Sequence, residues 1–417
     1  MKFNTLSLIF VAAYLFQFLF SLWLERLNRN HLQQSGNEVP APFKEFVDAD
    51  TLARINAYSI DKSRLVEIRK ITVDFTLLGI VLAGLLPIAD SYSLNREVHY
   101  IWAGLVFFIS VGVLFFVLGL PFDYYNTFVI EEKYGFNKSD TMTWVADNLK
   151  GELLSVVFLV GVMAPLLWTI HVSPNYWWLW GFIIVAAIQF IVVVVYPVLI
   201  APLFNKFEPL EDRDLVAAVE KLVQDVGMRS GGIFKMDAGR RSTHSNAYFT
   251  GFGKAKRIVL FDTLLERHTR DEILAVLAHE LGHYKLKHIW RFYAAGLLTT
   301  LVGLYVTHLM LGWDLLYSTF GLHYAQSYIA LFIIGIFWLK IGFFMKPFYA
   351  AASRRFETQA DAFAANLQKN PQSLATALKR IGAHNLSNLT PHPFYVWFYY
   401  SHPPLPERVA LLEDRKH

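Results

Sequence analysis

The sequence predicts an all-α polytopic membrane protein of seven transmembrane helices, with a small α+β domain gathered on one side of the bilayer. Three observations predict it. Of the 417 residues, 54% are hydrophobic and only 17% charged, and the mean hydropathy is +0.35, on the apolar side of an average soluble domain. The apolar residues are clumped into runs of bilayer length, and crossing an oily core of about 30 Å takes on the order of 20 helical residues. Lys and Arg are also unevenly shared between the loops. The formal charge of +4 is small and evenly mixed with acids, which excludes nucleic acid as the main partner. The absence of cysteine excludes disulfides, iron–sulfur clusters, thiolate metal sites and Cys nucleophiles, so any metal must be held by His, Asp or Glu.

The spans run approximately over 3–22, 71–89, 99–120, 153–172, 179–203, 292–313 and 326–348. The first is too long for the apolar part of a secretory signal, and Trp23-Leu24-Glu25-Arg26 offers no small-residue cleavage site, so it reads as a retained helix. Loop 23–70 holds eight Lys and Arg and loop 121–152 holds three, whereas 90–98 holds only Arg96, and 173–178 and 314–325 hold none. The positive side is cytoplasmic. An odd number of spans then puts the amino terminus outside and both large hydrophilic regions inside. The chain divides into a membrane part with helices 1–5 (1–203), a cytoplasmic insertion (204–291), helices 6 and 7 (292–348) and a cytoplasmic C-terminal part (349–417). Loop 23–70 reads as a solvated or interfacial helix around 48–68. The insertion opens with a helical pattern from Asp212 to Val226, stopped by Gly227. Two strand-like runs follow, Ile233 to Met236 and Arg257 to Phe261, joined by a turn-rich piece with Gly251 and Gly253. Gln189, His308 and Lys340 fall inside spans, and no site is assigned to them.

Chemistry concentrates in the two cytoplasmic regions. Thr269 and Glu272 form a capping-box pattern at the head of an Ala-rich helix running to Lys287. Within it lies His279-Glu280-Leu281-Gly282-His283, an HExxH motif. The four-residue spacing puts both imidazoles on one face, able to grip one Zn²⁺, with Glu280 beside them to take a proton from water. A polar helix face with two exposed histidines is the plain alternative. A catalytic zinc needs a third ligand. Between Leu281 and Phe356 there is no Glu, and the only acid is Asp314, in a loop placed outside. The next carboxylate on the correct side is Glu357, in a helical segment just past the seventh span, with Asp361 four residues on and facing the same way. Glu357 would complete the ligand set while Asp361 holds an imidazole from behind. Spacing alone leaves a solvated acidic face equally open.

His279-Glu280-Leu281-Gly282-His283 together with Ser353-Arg354-Arg355-Phe356-Glu357-Thr358-Gln359-Ala360-Asp361 resembles the M48 metallopeptidases. Three further segments are similar to their type I CAAX prenyl protease branch: Thr127 to Asn137, with its Glu131-Glu132-Lys133-Tyr134-Gly135-Phe136-Asn137 core; Ser242 to Gly253; and Ser401-His402-Pro403-Pro404. The resemblance covers about 124 to 408 in ordered motifs. It implies seven transmembrane helices enclosing a water-filled chamber, roofed by a small α+β cytoplasmic zinc-metallopeptidase domain. It implies one Zn²⁺ held by His279, His283 and Glu357, with Glu280 as general base. Asn246, Ala247, Tyr248 and Phe249 would form an edge strand to which an extended peptide adds by main-chain hydrogen bonds. An ordinary hairpin edge is the plain alternative. His402, stiffened by Pro403, Pro404 and Pro406, would donate to the oxyanion. Arg354, Arg355 and Arg408 either orient carboxylates near the metal or face lipid phosphates and water; Arg354 is taken, with Asp361, as a support of the ligands.

The implied activity is zinc-dependent hydrolysis of peptide bonds near a lipidated C-terminal cysteine, or in hydrophobic membrane-associated polypeptides. Two alternatives stay open: a membrane quality-control protease like the HtpX branch, and a transporter or non-cleaving binder of lipidated peptides. An intact Glu280 argues against the binder. Eukaryotic members often end in a retrieval signal, and Asp414-Arg415-Lys416-His417 shows none, so the expected location is a bacterial inner membrane, or the endoplasmic reticulum in a eukaryote. The expected partners are peptide substrates and the lipid bilayer. Oligomeric state has no visible signature.

Overall fold

Hydropathy marks where a helix lies in lipid, not where its hydrogen bonding stops, and most of the membrane helices run well past their expected ends. The computed structural model describes residues 1–95, 99–250 and 257–414. Arg96, the Gly251 and Gly253 turn, and Arg415-Lys416-His417 lie outside the described residues. Helix α1 spans Thr5–Ser35, opened by an Asn4–Ser7 capping box. The expected loop helix and the first part of the second span (71–82) are one helix, α2, Ala49–Leu82, whereas the remainder of that span falls beyond a break, in the next helix. Helix α2 breaks at Ala83-Gly84, where Gly84 takes a φ of +75° that favours glycine, and the chain turns by 57° into α3, Leu85–Asn95. Helix α4, Tyr100–Tyr125, continues through a π turn at Asn126–Glu131. Helix α5, Thr141–Val172, starts at an Asp140 cap well before the expected span, and α6 covers Trp177–Val195.

The hydrophilic insertion places β1 (Phe207–Pro209), α7 (Arg213–Asp225), β2 (Ile233–Met236), β3 (Ala247–Thr250), β4 (Arg257–Phe261), α8 (Asp262–Arg267) and α9 (Arg270–Lys285) in order. The two runs expected as strands are β2 and β4, and Asp212 caps α7 with its side chain. The sheet order is β1-β2-β4-β3, with β2 and β4 parallel and the other pairs antiparallel. Strand β3 is therefore an edge, and it lies against α9. Next come α10 (His288–Leu311), α11 (Asp314–Phe320), α12 (Ser327–Gln368), α13 (Pro371–His384), α14 (Pro393–Tyr399) and α15 (Leu405–Glu413). Among the described residues six helices are long and apolar enough to cross a membrane, or seven with the bent α2–α3 pair as one span.

Hydrogen bonds and ion pairs sort the loops into two faces. Lys2 N–H donates to the Thr319 carbonyl, and Asp90 pairs with His323, joining the segments expected outside. On the other face Tyr58 donates to Glu131, Arg241 forms a two-pronged pair with Asp147, and His392 N–H donates to Asn28 Oδ1. The core of that second face surrounds α9: Ile273, Leu277 and Leu281 pack with Val219 and Val223 of α7, Ile258 and Leu260 of β4, and Leu374 and Leu378 of α13. Each fully buried aliphatic side chain stabilises this arrangement by roughly 1.5–3 kcal/mol, which holds α9 rigidly beneath the sheet.

Candidate metal centre

Helix α9 begins as its sequence dictates. Glu272 N–H donates to Thr269 Oγ1 at 3.4 Å, and Thr269 N–H donates back to Glu272 Oε2 at 2.9 Å. Gly282, inside the HExxH motif, sets where α9 crosses α12: a Cβ there would lie 3.1 Å from the Ala360 Cα and 3.2 Å from its carbonyl oxygen. This backbone approach brings Glu357, one turn before Ala360, against the two imidazoles. His279 Nε2 and His283 Nε2 are 3.1 Å apart. Glu357 Oε2 is 3.3 Å from His279 Nε2, and Oε1 is 3.2 Å from His283 Nε2.

That triangle fits zinc. A tetrahedral ion with bonds of about 2.0 Å separates its ligand atoms by about 3.3 Å. Glu357 Oε2 is buried and accepts no hydrogen bond, with His279 Nε2 at 3.3 Å and the Arg408 guanidinium at 3.6 Å beside it, so its lone pairs are left for a cation to take up. Two neutral nitrogens and one carboxylate are an ordinary catalytic zinc set. Both imidazoles are oriented from behind. His279 Nδ1 donates to Asp361 Oδ1 at 2.7 Å, and Asp361 accepts from Arg408 at 2.8 Å (Nε) and 2.6 Å (Nη2). Burial alone would lower the His279 pKa, but the Asp361 and Glu357 carboxylates beside it outweigh that and raise it to about 9, so this spot favours a positive charge, which a cation would supply in place of the Nε2 proton. His283 Nδ1 lies 3.1 Å from His288 Nδ1, whose Nε2 lies 3.0 Å from Gln359 Oε1. Since the Gln359 carbonyl only accepts, His288 carries its proton on Nε2. His283 then carries its own on Nδ1, leaving Nε2 free to face the triangle.

The triangle borders a cavity of about 530 Å³ whose wall includes Asn246, Glu280 and His402. Burial pushes the Glu280 carboxyl above its usual range, as suits a base working near neutral pH.

Residues 209–416 match the family model for Peptidase family M48, and residues 28–206 match that of the CAAX prenyl protease N-terminal region with its five membrane helices. A CAAX prenyl protease 1 homolog from Oryza sativa subsp. japonica is 36% identical over 398 residues, covering 93% of this chain and 92% of the relative. The chain belongs to the M48 peptidase family.

CAAX prenyl protease 1 of Saccharomyces cerevisiae is 36% identical over 319 residues, 71% of this chain and 69% of the relative. The crystal structure of S. mikatae Ste24p superposes with a TM-score of 0.92 at 29% identity, covering 99% of this chain and 100% of that one. As an M48 peptidase the chain is a membrane-embedded zinc metallopeptidase.

Other residues singled out in the sequence take varied places in this M48 peptidase. His402 stands at the cavity rim, its side chain 59% exposed, with Nε2 3.3 Å from Glu357 Oε1 and Nδ1 2.9 Å from Ser401 Oγ. Asn246 precedes β3, and its Oδ1 accepts from the Ala247 N–H at 2.8 Å. Ala247, Tyr248 and Phe249 form β3, paired with Leu260, Val259 and Ile258. Arg354 does not reach the ligand carboxylates. Its guanidinium donates to the Val396 and Tyr400 carbonyls at 3.1 and 2.7 Å, clasping the end of α14 just before His402. Arg408, left open in the sequence, instead takes the supporting place assigned there to Arg354, because α15 docks it on Asp361. His288 and Gln359 carried no separate signal; only the folded crossing of α9, α10 and α12 joins them to His283.

Proposed function

We propose that this M48 peptidase hydrolyses peptides next to a prenylated cysteine, with Glu280 as general base. The observation that supports it most is the triangle of His279, His283 and Glu357, of which His279 and Glu357 line a cavity together with Glu280 and with Asn246 at the head of the edge strand β3. The names of the rice and yeast relatives supply the substrate class. Zinc held by those three residues supplies Lewis acidity and lowers the pKa of water to about 7. An extended peptide adds antiparallel to β3 through its main chain, so recognition reads shape more than side chains. Asn246 at the head of the strand faces the cavity and holds the peptide beside the base. Glu280 accepts the proton of the attacking water and passes it to the leaving amine. His402, clasped from behind by way of Arg354, donates to the oxyanion. Glu280→Gln is expected to lower kcat by about 10²–10⁴-fold or more while zinc content stays stoichiometric; wild-type turnover in that variant sinks the reading.

The Lys- and Arg-rich loops lie on the face that carries the site, which supports a cytoplasmic active site. Single cysteines introduced at Ser242 and Ser318 in this cysteine-free chain should be labelled from opposite sides of sealed vesicles. Labelling of both from one side refutes the orientation.

A further inference from the structure

A second cavity, of about 320 Å³, is bordered by His283, which does not line the first. Its wall also includes Phe249, Val193, Ile289, Trp290 and Tyr293. We infer that it receives the long hydrocarbon chain carried by the substrate residue on the acyl side of the scissile bond. This rests on the hydrolytic reading given above and assigns the substrate's lipid to a place.

Direction comes from the chemistry of the first cavity. Glu280 lines that cavity and not the second. Since Glu280 hands its proton to the leaving amine, the C-terminal fragment occupies the first cavity and the acyl fragment runs the other way. Strand β3 gives the same polarity. Asn246, at its head, borders the first cavity, whereas Phe249 and Thr250, at its far end, border the second. A peptide pairing antiparallel, the more stable ladder, enters over Thr250 and leaves over Asn246. The acyl-side residue then passes His283, the one zinc-triangle residue in the wall of the second cavity.

The lining identifies the occupant. Its lining is mainly aromatic and aliphatic, with Lys287 its one Lys or Arg and no acid, whereas the first cavity holds Glu280, Glu357 and Arg408. Phe190 and Val193 come from α6, and Ile289, Trp290 and Tyr293 from the first turns of α10, both membrane-spanning helices. The sharp corner at Lys287, with a φ of 58°, lets α10 start directly beneath the strand end. A chain dissolved in the bilayer therefore reaches the cavity between apolar walls without crossing water, and the cavity lies in the size range of pockets that bury most of a small ligand. A free peptide without lipid has nothing to place there.

Two measurements on the full-length, zinc-loaded protein test this. Filling the cavity with Val193→Trp should lower the ratio of kcat/KM for a farnesylated over an unfarnesylated peptide of the same sequence by about tenfold or more; an unchanged ratio overturns the inference. Independently, a farnesyl analogue with a benzophenone at its end, on the cysteine of that peptide, is bound to the Glu280→Gln protein and irradiated. Cross-links at Val193, Ile289, Trp290 or Phe249 support the assignment, and cross-links confined to other residues overturn it even if Val193→Trp fails to fold. Cross-linking at these residues with no cleavage by the wild type keeps the cavity and removes the hydrolytic reading instead.

Discussion

Helix α12 carries two buried polar clusters 17 residues apart in sequence, centred on Lys340 and on Glu357, or about 25 Å along its axis. At the first, Lys340 Nζ donates to Asp74 Oδ1 at 2.7 Å and Gln17 Oε1 at 2.8 Å, and lies 3.6 Å from the centre of the Tyr14 ring. Tyr14 in turn donates to Asp74 at 2.9 Å, and Lys70 stands 3.4 Å from its other oxygen. Both charges have partners, and the cluster pins α1 and α2 to α12. At the second, two imidazoles and a carboxylate point their lone pairs at one another, and Glu357 Oε2 accepts no hydrogen bond. A satisfied cluster holds helices together; one that leaves an oxygen unpartnered while its neighbours are clamped from behind is prepared for an ion. The same helix therefore anchors itself in the membrane and delivers a ligand above it.

Several substitutions break or sharpen that contrast. The largest effect is expected at the second cluster: Glu357→Ala should lose stoichiometric zinc and with it essentially all hydrolysis, read by metal analysis of purified protein. Retained zinc and turnover would mean that the triangle is not the binding set. At the first cluster, Lys340→Met leaves Asp74 with Tyr14 and with Lys70 3.4 Å away and should cost about 1–3 kcal/mol in thermal or denaturant unfolding in detergent, while zinc content in the folded fraction stays full. Adding Asp74→Leu should recover most of that loss, since paired charges and apolar substitutes are often near equal. If the double variant is as unstable as the single one, the cluster does more than pin helices. The smallest effect is behind the metal ligands: His288→Ala should weaken zinc affinity by about 10–100-fold, and it should also lower the unfolding midpoint modestly, since His288 is buried and stacked on Phe356. A competition titration with a chelator reads the affinity, and an unchanged affinity would remove His288 from the support of His283.

The membrane architecture was largely legible, because an uncharged run of bilayer length is a local property. What hydropathy left out was the continuity between lipid and water. The expected loop helix and the first part of the second span proved to be one helix, α2, and the seventh span proved continuous with the segment bearing Glu357 and Asp361. Backbone hydrogen bonds do not stop where side chains turn polar. The short β1 strand and α11 were not anticipated, being too brief to show a period. Arg354 and Arg408 could not be told apart in sequence, since either lies within reach of a carboxylate on paper; only the docking of α15 puts Arg408 on Asp361 and leaves Arg354 to the carbonyls of α14.

By itself the sequence determined the approximate spans and the pairing of His279 with His283, because a helix repeats every 3.6 residues and four-residue neighbours must share a side. The tertiary structure decided the rest: that Glu357 meets them, that Asp361 and His288 hold one imidazole each, and that Lys340 is neutralised within the membrane. Those contacts bridge helices far apart in the chain, and a through-space distance set by close packing, as at Gly282 against Ala360, leaves no periodic trace in the residues that make it.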